Sequence, residues 1–227
     1  MTLKINYLDN KKASIKNKAI FVPLDTKISA FKGDFDHSIN EKILNFLKKN
    51  KNTKENKIIS LNQDFDQKLI IILLVKNNNE LESEKLGAKF FDFVKNNEVH
   101  DIYIEGPTPD LIPLQKNKIN FNSFVHGAEL KSYEFNLYKT KKKNKIINFN
   151  IHKLHIFNKK QKLDPILSGV NFTRDLVSEP GNILHPDEYA RRLLTLKKLG
   201  IKVTVYDKKK LKKLGCNALL GVGQGSV

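Results

Sequence analysis

Apolar positions along the chain fall into two kinds of pattern. Short apolar runs alternate with longer stretches in which apolar residues recur every three or four positions, as they do on one face of a helix. Residues 68–76 contain the unbroken run Leu-Ile-Ile-Ile-Leu-Leu-Val, which is typical of a strand buried on both faces, so we predict a central strand there. This alternation predicts an α/β domain rather than a helical bundle or a β-sandwich.

The front part of the chain, residues 1–160, is predicted to form one α/β domain. The predicted strands are a first strand at Phe21 and Val22, followed by 68–76, 99–105 and 145–153. The predicted helices are 36–49, with Asp36 or Ser38 as its cap, 80–96 and 121–138. A loop is expected at 106–110, where two prolines follow a glycine.

Prolines divide the next part of the chain. Polar residues cluster at 158–164, which predicts a linker, and Pro165 is expected to open a helix after it. That helix should stop at Glu179, because Pro180 disfavours helical geometry in the residue before it. Pro186 is expected at the first position of another helix, which runs to Gly200.

The last stretch, residues 201–222, is predicted to form a βαβ unit with parallel strands. One strand is expected at 201–206, where apolar and polar residues alternate, and the other at 218–222, where the residues are apolar. Asp207 is expected to cap the short helix 208–214 between them. Residues 161–227 would therefore begin a second α/β domain.

Length and composition narrow the class of protein. The longest apolar run of the 227 residues is Leu69 to Val75, shorter than the roughly 20 residues that cross a bilayer. Residues 1–10 lack the apolar block of a signal peptide, so a cytoplasmic location is expected. Cys216 is the single cysteine, which excludes an internal disulfide and a zinc site made only of cysteines. We interpret it as a small packing residue.

The formal charge of +17 raises the question of nucleic-acid binding. Lysine supplies almost all of it, because the only arginines are Arg174, Arg191 and Arg192. Arginine is the residue preferred for two-pronged contacts to phosphate and guanine, so its scarcity argues against sequence-specific base reading. The densest lysine runs, 139–145 and 208–213, are interpreted as solvated faces, and loose electrostatic binding to nucleic acid stays open.

Three motifs carry a resemblance to a known family. The first two are Arg-Asp-Leu-Val-Ser-Glu-Pro-Gly-Asn-Ile-Leu-His-Pro at 174–186 and Ala-Leu-Leu-Gly-Val-Gly-Gln-Gly-Ser at 218–226. The third is Gly-Ala-Glu-Leu-Lys-Ser-Tyr-Glu-Phe-Asn-Leu-Tyr-Lys-Thr at 127–140. The first two resemble the entry to the catalytic domain of leucyl aminopeptidases, the cytosol aminopeptidase family. The third is similar to the helix that ends the N-terminal domain of that family.

The resemblance implies a fold and an activity. The implied fold is an N-terminal mixed sheet flanked by helices, macro-like, over 1–160, followed by an incomplete α/β catalytic domain over 161–227. The implied activity is removal of N-terminal residues from peptides with two divalent metals, manganese or zinc, in a cytoplasmic homo-hexamer. The chain departs from the family at Ser178, where asparagine is frequent, and at His185, where threonine is frequent.

No catalytic residue, cofactor-binding residue or metal ligand is carried over to this chain. In the family the ligands are a lysine, three aspartates and a glutamate, and the last pair lies in an Asn-Thr-Asp-Ala-Glu-Gly-Arg stretch that this sequence lacks. The chain is therefore expected to be a fragment that ends before those ligands, and to be inactive alone. Two alternatives stay open, a basic nucleic-acid-binding protein and an assembly module without catalysis.

Two local patterns could suggest ligand sites. Gly221, Gly223 and Gly225 do not have the spacing of a dinucleotide-binding loop, and we interpret them as a tight turn. His152 and His155 would lie on opposite faces of a predicted strand, so a metal site there is disfavoured.

Overall fold

The computed structural model describes residues 2–9, 14–24, 26, 35–64, 66–75, 78–105, 119–140, 145–152 and 160–224. These residues group into two compact units, 1–171 and 172–227. Compactness does not define a functional domain, so the boundary after residue 160 stays a prediction. No helix within the described ranges is long and apolar enough to span a membrane.

A six-stranded mixed sheet organises the first unit. Its strands are β1 (Thr2–Leu8), β2 (Asn17–Pro23), β3 (Lys57–Asp64), β4 (Gln67–Leu74), β5 (Asp101–Ile104) and β6 (Ile146–His152). They lie in the order β1-β6-β5-β2-β4-β3. Neighbouring strands are parallel, except that edge strand β3 runs antiparallel to β4. The expected α/β class with a mixed sheet is confirmed.

Three helices pack on the sheet of the first unit. They are α1 (His37–Lys49), α2 (Glu80–Asn96) and α3 (Phe121–Lys131). One apolar cluster joins α2 and α3 to one face of the sheet, with Phe90, Phe124 and Phe149 at its centre. A second cluster joins α1 to the other face through Ile39, Ile43 and Leu47. Strand β4 contributes to both clusters, which confirms a strand buried on both faces.

Two strands of the sheet were missed by the sequence analysis. Phe21 and Val22 lie in the second strand rather than the first, because β1 precedes them and pairs with β6. Strand β3 was also missed. Both missed strands are edges of the sheet, where fewer positions are buried and the apolar pattern is correspondingly weak.

Two helix boundaries also differ from expectation. Helix α3 ends at Lys131 instead of residue 138, where the hydroxyl of Ser132 donates to the carbonyl of Glu129 at 2.8 Å and competes with helical bonding. The next helix, α4 (Lys160–Ser178), begins before Pro165, which lies inside it. The linker expected at 158–164 is therefore helical from Lys160 onward. The loop expected at 106–110 lies outside the described residues.

The second unit contains the end of α4 followed by α5 (Pro186–Leu194), a 3-10 turn (Thr195–Leu199), α6 (Lys208–Lys213) and α7 (Asn217–Gly223). The predicted βαβ unit is wrong for its described residues. Residues 201–206 make no strand pairing, and 218–222 lie in α7. Alternation alone cannot make a strand, because its backbone groups need a neighbouring strand as hydrogen-bond partner. A short apolar run such as 218–222 does not distinguish a strand from a helix.

Candidate functional site

The turn after α4 follows directly from its sequence. Helix α4 ends at Ser178, and the amide of Glu179 still donates to the carbonyl of Asp175 at 3.1 Å. Pro180 then stops the helix as predicted. The amides of Ile183 and Leu184 both donate to the Pro180 carbonyl at 2.9 Å, which closes a compact turn.

Helix α5 begins where the sequence predicted. Pro186 occupies the first helical position, and Asp187 in the first turn complements the positive end of the helix dipole. His185 is the N-cap residue and makes no side-chain cap hydrogen bond, in keeping with its departure from the better-capping threonine. The helical course ends at Gly200, whose φ of 80° is the left-handed geometry that favours glycine.

An ion-pair network ties this turn to α5. The carboxylate of Glu179 is 2 % exposed and accepts from Nη1 of Arg192 at 2.7 Å. Nε of Arg192 also donates to Oε1 of Glu188 at 2.8 Å. Arg191 donates through Nε and Nη2 to the two oxygens of Glu188, at 2.6 Å each. Arg192 therefore bridges the end of one helix and the first turn of the next.

The network sets the protonation of its members. Hydrogen bonds from Arg191 and then Arg192 lower the pKa of Glu188 to about 2. Hydrogen bonds to Glu188 and then Glu179 raise the pKa of Arg192 above its usual value. Glu188, Arg191 and Arg192 are therefore charged at neutral pH.

No role for Arg192 was predicted from the sequence. A signal was available, because Glu188 precedes Arg192 by four residues, the spacing that favours a helix-surface ion pair. The bond to Glu179, thirteen residues earlier, could not be deduced from spacing.

The glycine motif at 218–226 lies partly in the described structure. Asp207 caps α6 by accepting from the amide of Lys210 at 2.7 Å, as predicted. Gly215 then takes a left-handed φ of 73°. Gly221 and Gly223 lie in α7, so the tight turn predicted for them is wrong, whereas Gly225 and Ser226 lie outside the described residues. The thiol of Cys216 is free and half-buried.

The third motif places its glycine at a helix crossing. Gly127 of α3 packs on α2 so closely that a Cβ there would lie 1.9 Å from the carbonyl oxygen of Glu84. A glycine at this position is therefore required by packing. The motif from Ser132 onward, with Tyr133 and Tyr138, follows the end of α3 as irregular structure.

Residues that could ligate a metal do not converge in the described part of the chain. No group of three or more His, Cys, Asp or Glu side chains with metal-binding geometry is present among the residues described there. His152 is the last residue of β6, and His155 lies outside the described ranges. The described residues therefore do not fit a two-metal centre, and the absence of site residues in this chain stays a prediction.

The region around the Glu179 turn is similar in sequence to a known family of proteins. Residues 171–227 match the model of the cytosol aminopeptidase family, catalytic domain. The chain is 44% identical over 126 residues to a probable cytosol aminopeptidase of Phytoplasma mali. It is 34% identical over 170 residues to one from Bradyrhizobium sp., a match that covers 70% of this chain. The family model and these relatives together support the cytosol aminopeptidase family for this chain.

Two solved structures share the fold. A tomato leucine aminopeptidase mutant matches 94% of this chain with a TM-score of 0.66 and 17% identity. The bottromycin maturation enzyme BotP in complex with Mn matches 89% with a TM-score of 0.53 and 14% identity. At such identities the likeness shows the fold alone.

The matched region is a limited part of each relative. It spans 25% of the Phytoplasma mali aminopeptidase, 33% of the Bradyrhizobium aminopeptidase and 46% of the tomato chain. The chain thus corresponds to less than half the length of these cytosol aminopeptidase relatives.

Proposed function

We propose that the complete protein is a metal-dependent aminopeptidase that removes N-terminal residues from peptides. The match of residues 171–227 to the aminopeptidase catalytic domain carries this proposal. The Glu179 turn and the start of α5 lie inside that match, and their geometry follows the motif on which the resemblance rests.

In this proposal the 227 residues supply scaffold rather than chemistry. Two divalent metals, manganese or zinc, would serve the complete protein as Lewis acids. The described residues do not fit such a centre, and the sequence lacks the Asn-Thr-Asp-Ala-Glu-Gly-Arg stretch of the family. We therefore assign no ligand to this chain and propose that it has no peptidase activity alone.

Sequencing and one assay test the proposal. The gene read on from codon 227 should encode an Asn-Thr-Asp-Ala-Glu-Gly-Arg-like segment, and the product of that longer frame should cleave a leucine anilide when manganese is added. The 227-residue chain should show no turnover above a manganese blank. A downstream frame without that segment would remove the support for aminopeptidase activity, and turnover by the 227 residues would refute the scaffold role.

Assembly and location are further parts of this proposal. We propose a cytoplasmic homo-hexamer for the complete protein, as the family resemblance implies. Native mass spectrometry of the longer product should give a six-subunit mass. If the first unit alone assembles and the longer product has no activity, the assembly-module alternative replaces the enzyme.

Nucleic-acid binding is a second candidate, favoured by one observation. Helix α6 presents five lysines on an exposed segment, namely Lys208, Lys209, Lys210, Lys212 and Lys213. Electrostatic binding predicts that affinity for duplex DNA falls steeply with salt, in proportion to the phosphates neutralised. Fluorescence anisotropy with labelled duplex at several salt concentrations measures this slope, and a flat response would eliminate the candidate.

A further inference from the structure

A cleft opens in the first unit at one end of the sheet. It has a volume of about 310 Å³ and lies where β4 ends, between the segment that precedes β3 and the first turns of α2. Val75 and Leu86 are its apolar members. The volume is at the lower end of the range for small-molecule sites, about 300–1,000 Å³, and suits a metabolite-sized ligand.

The topology makes this end of the sheet a natural place for a ligand. Adjacent parallel strands β2 and β4 are followed by helices α1 and α2, which pack on opposite faces of the sheet. Ligands of open α/β sheets bind outside the carboxyl ends of strands, most often near such a switch in topology. The described lining residues of this cleft lie on the β3 and α2 side of β4. Val75, which lines the cleft, directly follows the carboxyl end of β4.

Two asparagines hold fixed donors at the cleft. Asn56 accepts from the Val75 amide at 2.9 Å and donates to Oδ1 of Asn78 at 2.7 Å. Asn78 in turn donates to the Val75 carbonyl at 2.9 Å. Each side-chain amide has two N–H groups and uses one in this ring. Within the described structure, one N–H on each asparagine is left to donate to a ligand.

Cations complete the lining of the cleft. Lys54, Lys85 and Lys89 line it together with two carboxylates, Glu55 and Glu82, so the described lining residues carry three positive charges and two negative ones. Lys85 is held by Glu82 at 2.9 Å. Lys54 and Lys89 have no ion-pair partner among the described residues, which leaves two ammonium groups beside the two amide donors.

We propose that this cleft binds a small multivalent oxyanion, a molecule that carries phosphate or carboxylate groups. The fixed amides of Asn56 and Asn78 donate to its oxygens, and Lys54 and Lys89 neutralise its charge. Charge-assisted hydrogen bonds of this kind are about twice as strong as neutral ones. Glu55 opposes the anion and therefore limits affinity.

Nuclear magnetic resonance titration of the 227-residue chain tests the proposal with two probes, inorganic pyrophosphate and citrate. At least one probe should shift the side-chain amide signals of Asn56 and Asn78 in a saturable manner. Saturation by pyrophosphate alone identifies phosphate as the ligand group, and saturation by citrate alone identifies carboxylate. A titration in which neither probe saturates these signals overturns the proposal.

Three variants test the chemistry of the cleft. The double variant Lys54→Gln/Lys89→Gln should weaken binding roughly tenfold. Glu55→Gln should tighten it by roughly two- to fivefold, because it removes the opposing charge. Lys208→Gln/Lys209→Gln removes the same charge from α6 and should leave the affinity unchanged. Equal weakening by the two double variants would show general screening and overturn the assignment.

Discussion

Gly87 and Gly127 bring α2 and α3 into backbone contact. A Cβ on Gly87 would lie 1.8 Å from the carbonyl oxygen of Phe124, and one on Gly127 would lie 1.9 Å from that of Glu84. Because both obstacles are backbone atoms, neither can move aside without shifting a helix. The two glycines therefore set the separation of the helices that cover one face of the sheet.

Gly87→Ala or Gly127→Ala should destabilise the protein by about 1–3 kcal/mol or more, since the added methyl overpacks the crossing. Urea unfolding followed by circular dichroism measures the change. Gly169→Ala is the matched control, because it lies inside α4 with nothing within 4 Å of the added Cβ. That variant should gain about 0.5–1 kcal/mol from helix propensity. Equal effects at Gly87 and Gly169 would contradict the close crossing.

Arg192→Leu should loosen the turn that follows α4. The substitution leaves the carboxylate of Glu179, which is 2 % exposed, without the partner it has in Arg192. The amides of Ile183 and Leu184 should then exchange hydrogen faster, as measured by mass spectrometry of the peptide that contains them.

Arg191→Leu is the control for that experiment. Arg191 is 68% exposed and bonds to Glu188 at the surface, where an ion pair stabilises little. Its effect on exchange should be smaller than that of Arg192→Leu by a factor of roughly three. If the two variants loosen the turn equally, the bond to Glu179 does not hold it.

Acidification should destabilise the first unit through His126. This side chain of α3 is buried, and its Nδ1 has no hydrogen-bond partner among the described residues. Burial lowers its pKa, an effect that the charges of Glu84 and Asp164 only partly oppose. Because the unfolded chain binds the proton more tightly than the folded one, stability is lost as the pH falls below the ordinary histidine value of 6.5.

Urea unfolding at pH 7.5 and at pH 5.5 measures this loss. His126→Gln should reduce the difference between the two pH values, because it removes the buried titrating group. His37→Gln, at an exposed position in the first turn of α1, should leave the difference as in the unmodified protein. An unchanged difference in His126→Gln would rule out this residue as the source.

Asn150→Ala should weaken the attachment of the edge strand β1. The Asn150 side chain is buried, accepts from Asn6 at 3.0 Å, and donates to Asp101 at 2.5 Å. Removing it leaves the half-buried side chains of Asn6 and Asp101 without this partner, at a cost of about 1–3 kcal/mol. Asn148→Ala, two residues earlier on the same face of β6, is the control and should cost less in urea unfolding. A larger loss at Asn148 would refute the role of this network.

The fold could be predicted from the sequence wherever a buried element shows a clear periodic pattern of apolar residues. Strand β4, helix α2 and the start of α5 at Pro186 were found because each has a long apolar pattern or a proline with one favoured position. The edge strands β1 and β3 were missed, because a partly buried strand has only a weak pattern of apolar residues.

Long-range contacts explain what could not be predicted. The strand expected at 201–206 depends on a neighbour that local alternation cannot supply. Likewise, the bond between Glu179 and Arg192 and the asparagine ring around Val75 join residues far apart in sequence. At the candidate site, the turn and its prolines could be predicted from the sequence, but the ion pair between Glu179 and Arg192 could not.

The pairing of β1 with β6 has a consequence for biosynthesis. Asn6 of β1 bonds to a residue 144 positions later, so this edge strand needs a partner that is synthesised after the other described strands of the sheet. At about 5–20 residues per second, the wait is roughly 7–30 s. During that interval Leu3 and Ile5, which later pack on the core, lack the neighbouring strand β6. In that interval the unpaired β1 segment can pair with the same segment of another copy. Chaperone binding to this segment would prevent such pairing.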